Sequence, residues 1–122
     1  LWKTWSPRWK YTDEAFNRSV ASFDNPDFVE VALHSYRHRH MNAPGEDRFI
    51  EVERKLADRP QVLIPTIVLR GSDSGFGTPP QDPSEDQKNF PALVARRIVE
   101  GAGHDLPVQR PDEVSTALLE LL

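Results

Sequence analysis

Two short segments in the second half of the chain have the apolar pattern of buried β-strands. Residues 65–70 (Pro-Thr-Ile-Val-Leu-Arg) and 94–99 (Val-Ala-Arg-Arg-Ile-Val) are rich in β-branched and aliphatic side chains, and a glycine-containing turn follows each. Such apolar runs, bounded by turn residues, are typical of strands in a parallel sheet. In open parallel sheets, reactive groups lie in loops beyond the carboxyl ends of the strands. The pattern therefore indicates Asp73 and His104, one in each loop, as candidate functional residues.

The first 58 residues have a different pattern, in which apolar positions recur at helical spacing. It predicts helices over residues 13–22, 26–40 and 46–57. The second helix has a start signal in Asn25-Pro26-Asp27, with Asn25 as the N-cap. Its predicted buried stripe consists of Phe28, Val31, Ala32, Ser35 and Tyr36. Three amphipathic helices with no strand between them predict a helical segment over residues 1–58.

A second region, residues 59–122, begins where the composition shifts towards branched aliphatic side chains. Between its two strands, Ser84-Glu85-Asp86-Gln87 fits a capping box and predicts a short helix. A final helix is predicted from Pro111, which is followed by two acidic residues. The fold class is therefore α/β. Natural sheets usually have about 4–6 strands, and the chain begins with Leu1, so we expect it to be the C-terminal part of a larger α/β enzyme.

The charge, the absence of cysteine and the short apolar runs exclude several kinds of function. The net charge of −4 argues against binding to nucleic acid or an anionic membrane through bulk electrostatics. The sequence has no cysteine, which excludes disulfides, thiolate metal sites and cysteine catalysis and is compatible with a cytoplasmic location. No apolar run approaches the roughly 20 residues of a membrane span. We therefore predict a cytoplasmic protein with no nucleic-acid or membrane partner.

Three closely spaced histidines raise the question of a metal site. His34 and His38 are four residues apart on a predicted helix, and His40 follows closely. A catalytic zinc normally has three protein ligands, and no acidic residue or cysteine stands at a matching offset. Arginines alternate with the histidines, so a positively charged helix C-terminus is the better interpretation. No metal and no organic cofactor are predicted.

Aromatic residues dominate the first twelve positions, which contain all three tryptophans, Trp2, Trp5 and Trp9. The rings either anchor a surface segment onto a core or line an apolar pocket. Both interpretations are compatible with the sequence.

Three segments together resemble the C-terminal portion of the α/β-hydrolase superfamily. They are Ile-Pro-Thr-Ile-Val-Leu-Arg-Gly at 64–71, Gly-Ala-Gly-His at 101–104, and Pro-Asp-Glu-Val at 111–114 with the leucine-rich helix that follows. In that superfamily they are the penultimate strand, the histidine loop and the final helix. The resemblance implies a partial α/β-hydrolase fold, in which residues 1–58 are the end of a helical cap and residues 59–122 the C-terminal part of the core.

The resemblance also implies roles for individual residues. His104 matches the general base of the catalytic triad. The usual acid position, three residues after Gly71, is occupied by Ser74, and the carboxylate stands one residue earlier, at Asp73. Asp73 is the candidate acid. The alternatives are an acid from an earlier strand outside the chain or a defective triad.

No nucleophile elbow of the G-x-S-x-G type, nor its aspartate equivalent, is present between Leu1 and Leu122. The nucleophile is therefore expected in a missing N-terminal part of the same fold, and the 122-residue chain alone is predicted to be inactive. A fragment of a sheet would expose a strand edge, which favours association, including homo-oligomers.

The prediction for function is a hydrolase acting on a small organic substrate such as an ester or an epoxide. Trp2, Trp5, Trp9 and Tyr36 are the candidates for the substrate pocket. In epoxide hydrolases of the superfamily, cap tyrosines polarise the epoxide oxygen, a role that Tyr36 would match. The alternatives are a non-catalytic hydrolase-like protein that binds a ligand or partner, and a small helical interaction module formed by residues 1–58.

Overall fold

Two parallel strands, β1 (Thr66–Gly71) and β2 (Leu93–Val99), form the sheet in the computed structural model, which describes residues 1–122. Parallel strands need a crossover connection, and here a long loop and helix α5 (Ser84–Asn89) supply it. The strands pair from Thr66 opposite Leu93 to Gly71 opposite Val99, with one irregularity after Thr66. Both predicted strands are confirmed to within one residue, and the chain is a mixed α/β protein.

The other helices are short. Four precede the sheet and two follow it: α1 (Trp2–Trp5), α2 (Asp13–Val20), α3 (Phe28–Arg39), α4 (Ile50–Ala57), α6 (Leu106–Gln109) and α7 (Pro111–Leu119). Single 3-10 turns extend α2 at its end (Ala21–Asp24) and precede α4 (Asp47–Phe49). No helix is long and apolar enough to cross a membrane.

Helices α3 and α5 do not have the N-terminal caps that the sequence predicts. The Asn25 side chain accepts a hydrogen bond from the Asp27 amide at 2.9 Å, so Asn25 forms a turn and α3 begins only at Phe28. At α5, Ser84 is the first helical residue and not the cap, because Asp82 accepts hydrogen bonds from both the amide and the hydroxyl of Ser84. The Gln87 amide, which a capping box would bond to the Ser84 hydroxyl, donates to the Pro83 carbonyl at 2.9 Å instead, so the capping-box prediction was wrong.

The chain divides into two compact units. The sheet unit consists of Leu1–Trp9 and Arg59–Leu122, and the helical unit is Lys10–Asp58. The helical unit ends at Asp58, and the second segment of the sheet unit begins at Arg59. Residues 1–9, which the sequence pattern assigns to the helical segment, pack with the strands instead, because backbone hydrogen bonds tie them to the strand loops.

The core of the sheet unit is small. Val99, Ala102 and Leu106 are buried together, and Leu69 and Val114 pack against them. In the helical unit, the predicted buried stripe of α3 is wrong at three positions: Val31 is 63% exposed, Tyr36 is 50% exposed, and Ser35 is exposed as well. Within that unit α3 packs chiefly on the single turn at Ala21–Asp24, which cannot cover a helix of this length.

One buried carboxylate joins both strands to the crossover helix. Asp86 on α5 is 4% exposed, and its two oxygens meet Arg70 of β1 at 2.6 Å and Arg96 of β2 at 2.8 Å. Burial opposes ionisation of Asp86, but the hydrogen bonds from Arg96 and Arg70 outweigh it and hold the pKa of Asp86 below its ordinary value. The carboxylate is therefore charged at neutral pH.

Candidate functional site

The loops that follow β1 and β2 run side by side. The amide of Ser72 donates to the Val99 carbonyl at 3.1 Å, and the amide of Asp73 donates to the Ala102 carbonyl at 2.9 Å. A Cβ on Gly71 would overlap the backbone of Ala102, so glycine permits this close approach. The parallel sheet thus brings the loops of Asp73 and His104 to one edge, as the sequence predicts.

The N-terminal segment connects the two loops. The Trp5 carbonyl oxygen accepts hydrogen bonds from the Gly75 amide at 3.0 Å and from the His104 amide at 3.1 Å. A Cβ on Gly75 would overlap the Thr4 carbonyl, so the contact between these backbones is direct. One carbonyl group therefore fixes the separation of both loops.

The imidazole of His104 lies between two aromatic rings. The Trp5 ring meets it edge-on at a centroid distance of 5.2 Å, and the Phe76 ring lies 4.6 Å away. His104 is exposed, and its hydrogen bonds are made by its backbone amide alone. The imidazole nitrogens are therefore free to exchange a proton with a group that enters from outside.

Asp73 has a different partner from the one expected of a triad acid. Its Oδ2 lies 2.8 Å from Nε of Arg8, and this ion pair raises the pKa of Arg8. Asp73 makes no hydrogen bond with the His104 imidazole in this structure. Oδ2 is buried, and its contact with Arg8 lacks the alignment of a hydrogen bond. Ser74, at the usual acid position, accepts only from the Phe76 amide at 3.3 Å.

A cavity of about 330 Å³ opens beside His104. Phe76 and Leu106 contribute apolar surface to its wall, and Ser74, Thr78 and Arg70 contribute polar groups. The volume lies at the lower end of small-molecule pockets. A mostly apolar wall with an exposed imidazole at its edge suits proton transfer to or from a small, weakly polar molecule.

The predicted pocket residues divide between the two units. Trp5 contacts His104 directly, whereas Trp2 and Trp9 pack on each other with ring centroids 4.7 Å apart. Tyr36 lies on α3 in the helical unit.

The histidines of α3 do not form a metal centre. The rings of His34 and His38 are parallel with centroids 6.3 Å apart. His38 binds Glu53 at 3.0 Å and the Ala43 carbonyl at 3.3 Å. No group of three or more histidine, aspartate or glutamate side chains is arranged to hold a metal ion.

Two residues near His104 were missed by the sequence analysis. Ser6 and Gln109 are buried polar side chains that bind the backbone of Gly103 and His104. A serine before a proline and a glutamine in a polar stretch carry no periodic signal, so only the tertiary structure identifies them.

A solved structure resembles the whole chain. It is the crystal structure of a putative epoxide hydrolase from Klebsiella pneumoniae subsp. pneumoniae MGH 78578, which is 29% identical in sequence with a TM-score of 0.86. The match covers 98% of this chain and 39% of that one, so the chain spans well under half the length of its structural neighbour. No protein-family model and no curated protein matches the sequence. The structural match supports a relation to the α/β-hydrolase fold.

Proposed function

We propose that this chain is the cap and C-terminal part of an α/β hydrolase that opens a small, apolar epoxide. The observation that carries the proposal is the match along 98% of the chain to the structure of a putative epoxide hydrolase, with a TM-score of 0.86. The exposed imidazole beside an apolar cavity supports it. The nucleophile belongs to the remainder of the fold, which is the partner that this chain requires. Neither a metal nor an organic cofactor is needed.

His104 is the proposed general base. After a nucleophile has attacked the substrate and formed a covalent ester, the imidazole takes a proton from water, and the resulting hydroxide releases the product. The loop after β2 holds the imidazole at the edge of the cavity, and the rings of Trp5 and Phe76 limit its movement.

Asp73 is the proposed acid that orients His104. Its loop lies beside the His104 loop, and its buried Oδ2 has no aligned donor. A rotation of the carboxylate away from Arg8 would make that oxygen available to the imidazole N–H. The competing proposal is an acid on an earlier strand, and the pairing of Asp73 with Arg8 favours this competitor.

Tyr36 is the proposed electrophile that donates a hydrogen bond to the epoxide oxygen. We expect Tyr36→Phe to lower the kcat of the complete protein for styrene oxide by about 100-fold, because removing one donor from a developing oxyanion costs about 10²–10³. Ester substrates do not need this donor, so p-nitrophenyl acetate hydrolysis should change by less than about threefold. Tyr11→Phe, a matched tyrosine of the same unit, should leave both rates unchanged.

The test of the proposed function uses the complete protein, obtained by extending the coding sequence upstream of Leu1. It is assayed on styrene oxide and on p-nitrophenyl acetate, with the 122-residue chain as the control. We expect diol formation by the complete protein and none by the chain alone. Failure to hydrolyse the epoxide, or equal activity of the isolated chain, would refute the proposal.

A non-catalytic hydrolase-like protein is the second candidate. It is favoured by the Arg8–Asp73 ion pair and by the serine at the usual acid position, because both leave His104 without a carboxylate partner. In that case the cavity beside His104 would bind a small ligand without converting it. Saturable binding of styrene oxide or its diol by the complete protein, with no turnover of either substrate, would support this candidate.

A further inference from the structure

We propose that Ser6 and Gln109 form a clamp that sets the position of His104. They would be positioning residues, since neither reaches the reacting atoms, and their role in turnover rests on the function proposed above. The clamp consists of three hydrogen bonds that run from the Gly103 amide through the two side chains to the His104 amide.

Ser6 is the one buried residue of the N-terminal segment, residues 1–9. It is 2% exposed, and its hydroxyl oxygen accepts from Nε2 of Gln109 at 2.7 Å and from the His104 amide at 3.1 Å. A hydroxyl oxygen has two acceptor sites, and both are used here. A buried hydroxyl with a free acceptor would be costly, so the geometry of these two bonds is tightly fixed.

Gln109 completes the clamp from the other side. It is 8% exposed at the end of α6, and its Oε1 accepts from the Gly103 amide at 2.8 Å while its Nε2 donates to Ser6. The amide side chain thus satisfies one donor of the histidine loop and uses its own donor on the serine. The amide group supplies both the acceptor for Gly103 and the donor for Ser6.

The histidine loop needs such a clamp because its sequence is flexible. Gly101-Ala102-Gly103 precedes His104, and glycines lose the most conformational freedom on folding. A Cβ on Gly103 would overlap Ser6, so glycine is required for the contact that also restrains it. Fixing the two peptide groups on either side of Gly103 restrains the direction in which the His104 side chain leaves the backbone.

The first test measures amide hydrogen exchange by NMR in the unmodified 122-residue chain. The amides of Gly103 and His104 should exchange at least about 100-fold more slowly than the amide of Thr78, a loop residue whose amide donates no hydrogen bond. This measurement needs no variant. Exchange of the two amides as fast as that of Thr78 would overturn the proposal.

The second test compares Ser6→Ala and Gln109→Met with control variants that remove equivalent exposed groups, Ser35→Ala and Gln87→Met. The clamp variants should raise exchange at Gly103 by about tenfold or more, and leave the amides of β1 and β2 within about twofold. The rise at His104 should be smaller, because its amide keeps the bond to the Trp5 carbonyl. Gln109→Glu should restore slow exchange, because a carboxylate can accept from both Gly103 and the Ser6 hydroxyl. The proposal would be overturned if the exchange rate of the Gly103 amide did not change in the clamp variants, or if the amides of β1 and β2 exchanged faster by the same factor.

The third test addresses positioning in the complete protein. Ser6→Ala and Gln109→Met should lower kcat for styrene oxide by about 10- to 100-fold with KM within about threefold, because small misplacements of a catalytic group cost up to about 10². Gln109→Glu should recover part of the loss. An unchanged kcat would refute the positioning role, whereas the hydrogen-exchange results stand whether or not the protein is a hydrolase.

Discussion

Replacing His104 by glutamine should reduce steady-state epoxide hydrolysis by the complete protein by at least about 10³-fold. Glutamine retains hydrogen-bonding capacity and similar size but cannot accept a proton from water at neutral pH. If the nucleophile is a carboxylate, its attack on the epoxide does not need the base, so the covalent ester should accumulate. Intact-protein mass spectrometry should then show a protein whose mass has increased by that of one substrate molecule. In rapid-mixing assays, one equivalent of epoxide per protein should be consumed quickly, without release of the diol.

The same variant distinguishes the nucleophiles. A serine nucleophile needs His104 for its own activation, so His104→Gln would then give neither turnover nor a covalent adduct. His34→Gln is the matched control, since His34 is an exposed histidine of the helical unit. Retention of more than about a tenth of the activity in His104→Gln would exclude His104 as the base.

Replacing Asp86 by asparagine should lower the free energy of unfolding of the 122-residue chain by about 2–4 kcal/mol. The change leaves Arg70 and Arg96 without their counter-ion, and breaking a buried ion pair from one side typically costs about 3–5 kcal/mol. Arg70 is 38% exposed, which lets water replace part of the interaction. Urea denaturation followed by tryptophan fluorescence would measure the loss. Glu85→Gln removes the same charge from the same helix at an exposed position and should change stability by less than about 0.5 kcal/mol.

The sign of the pH dependence follows from the depressed pKa of Asp86. A carboxyl group whose pKa is lower in the folded protein stabilises it fully above the ordinary pKa of aspartate, about 3.9. That contribution is lost as the pH falls through the lower, folded value. The unmodified chain should therefore lose more stability than Asp86→Asn between pH 5 and pH 3. Parallel curves for the two proteins would show that the ion pair contributes nothing.

Local sequence signals were sufficient for the strands and for most helix positions. The β-branched run at 65–70 and the proline at residue 111 each act through their own backbone, so their outcomes were readable without the tertiary structure. The Asn25 and Ser84 predictions failed because each side chain bonds within a local turn, Asn25 with the Asp27 amide and Ser84 with Asp82, and not with the first turn of the helix. Helix α6 was missed because four residues are too few to show periodicity.

The candidate site was only partly accessible from the sequence. His104 and Asp73 could be placed at one sheet edge because topology alone determines where parallel strands end. Three contacts of the site join residues that are distant in the sequence: the Arg8–Asp73 ion pair, the contact of the Trp5 ring with His104, and the Ser6–Gln109 hydrogen bond. No local pattern encodes such pairs. The chemistry of each residue was predictable, but its partner was not.

The wide sequence separation of the clamp has a consequence for how the protein forms. Ser6 lies 98 residues from His104 and 103 residues from Gln109, so these bonds close some of the largest loops that the chain permits. Closure of long loops is entropically unfavourable, and contacts of high sequence separation slow folding. During synthesis, Ser6 cannot form these two hydrogen bonds until His104 and Gln109 have left the ribosome. The histidine loop should therefore be among the last regions to acquire its native conformation, and cleavage between Ser6 and the strands should disorder it first.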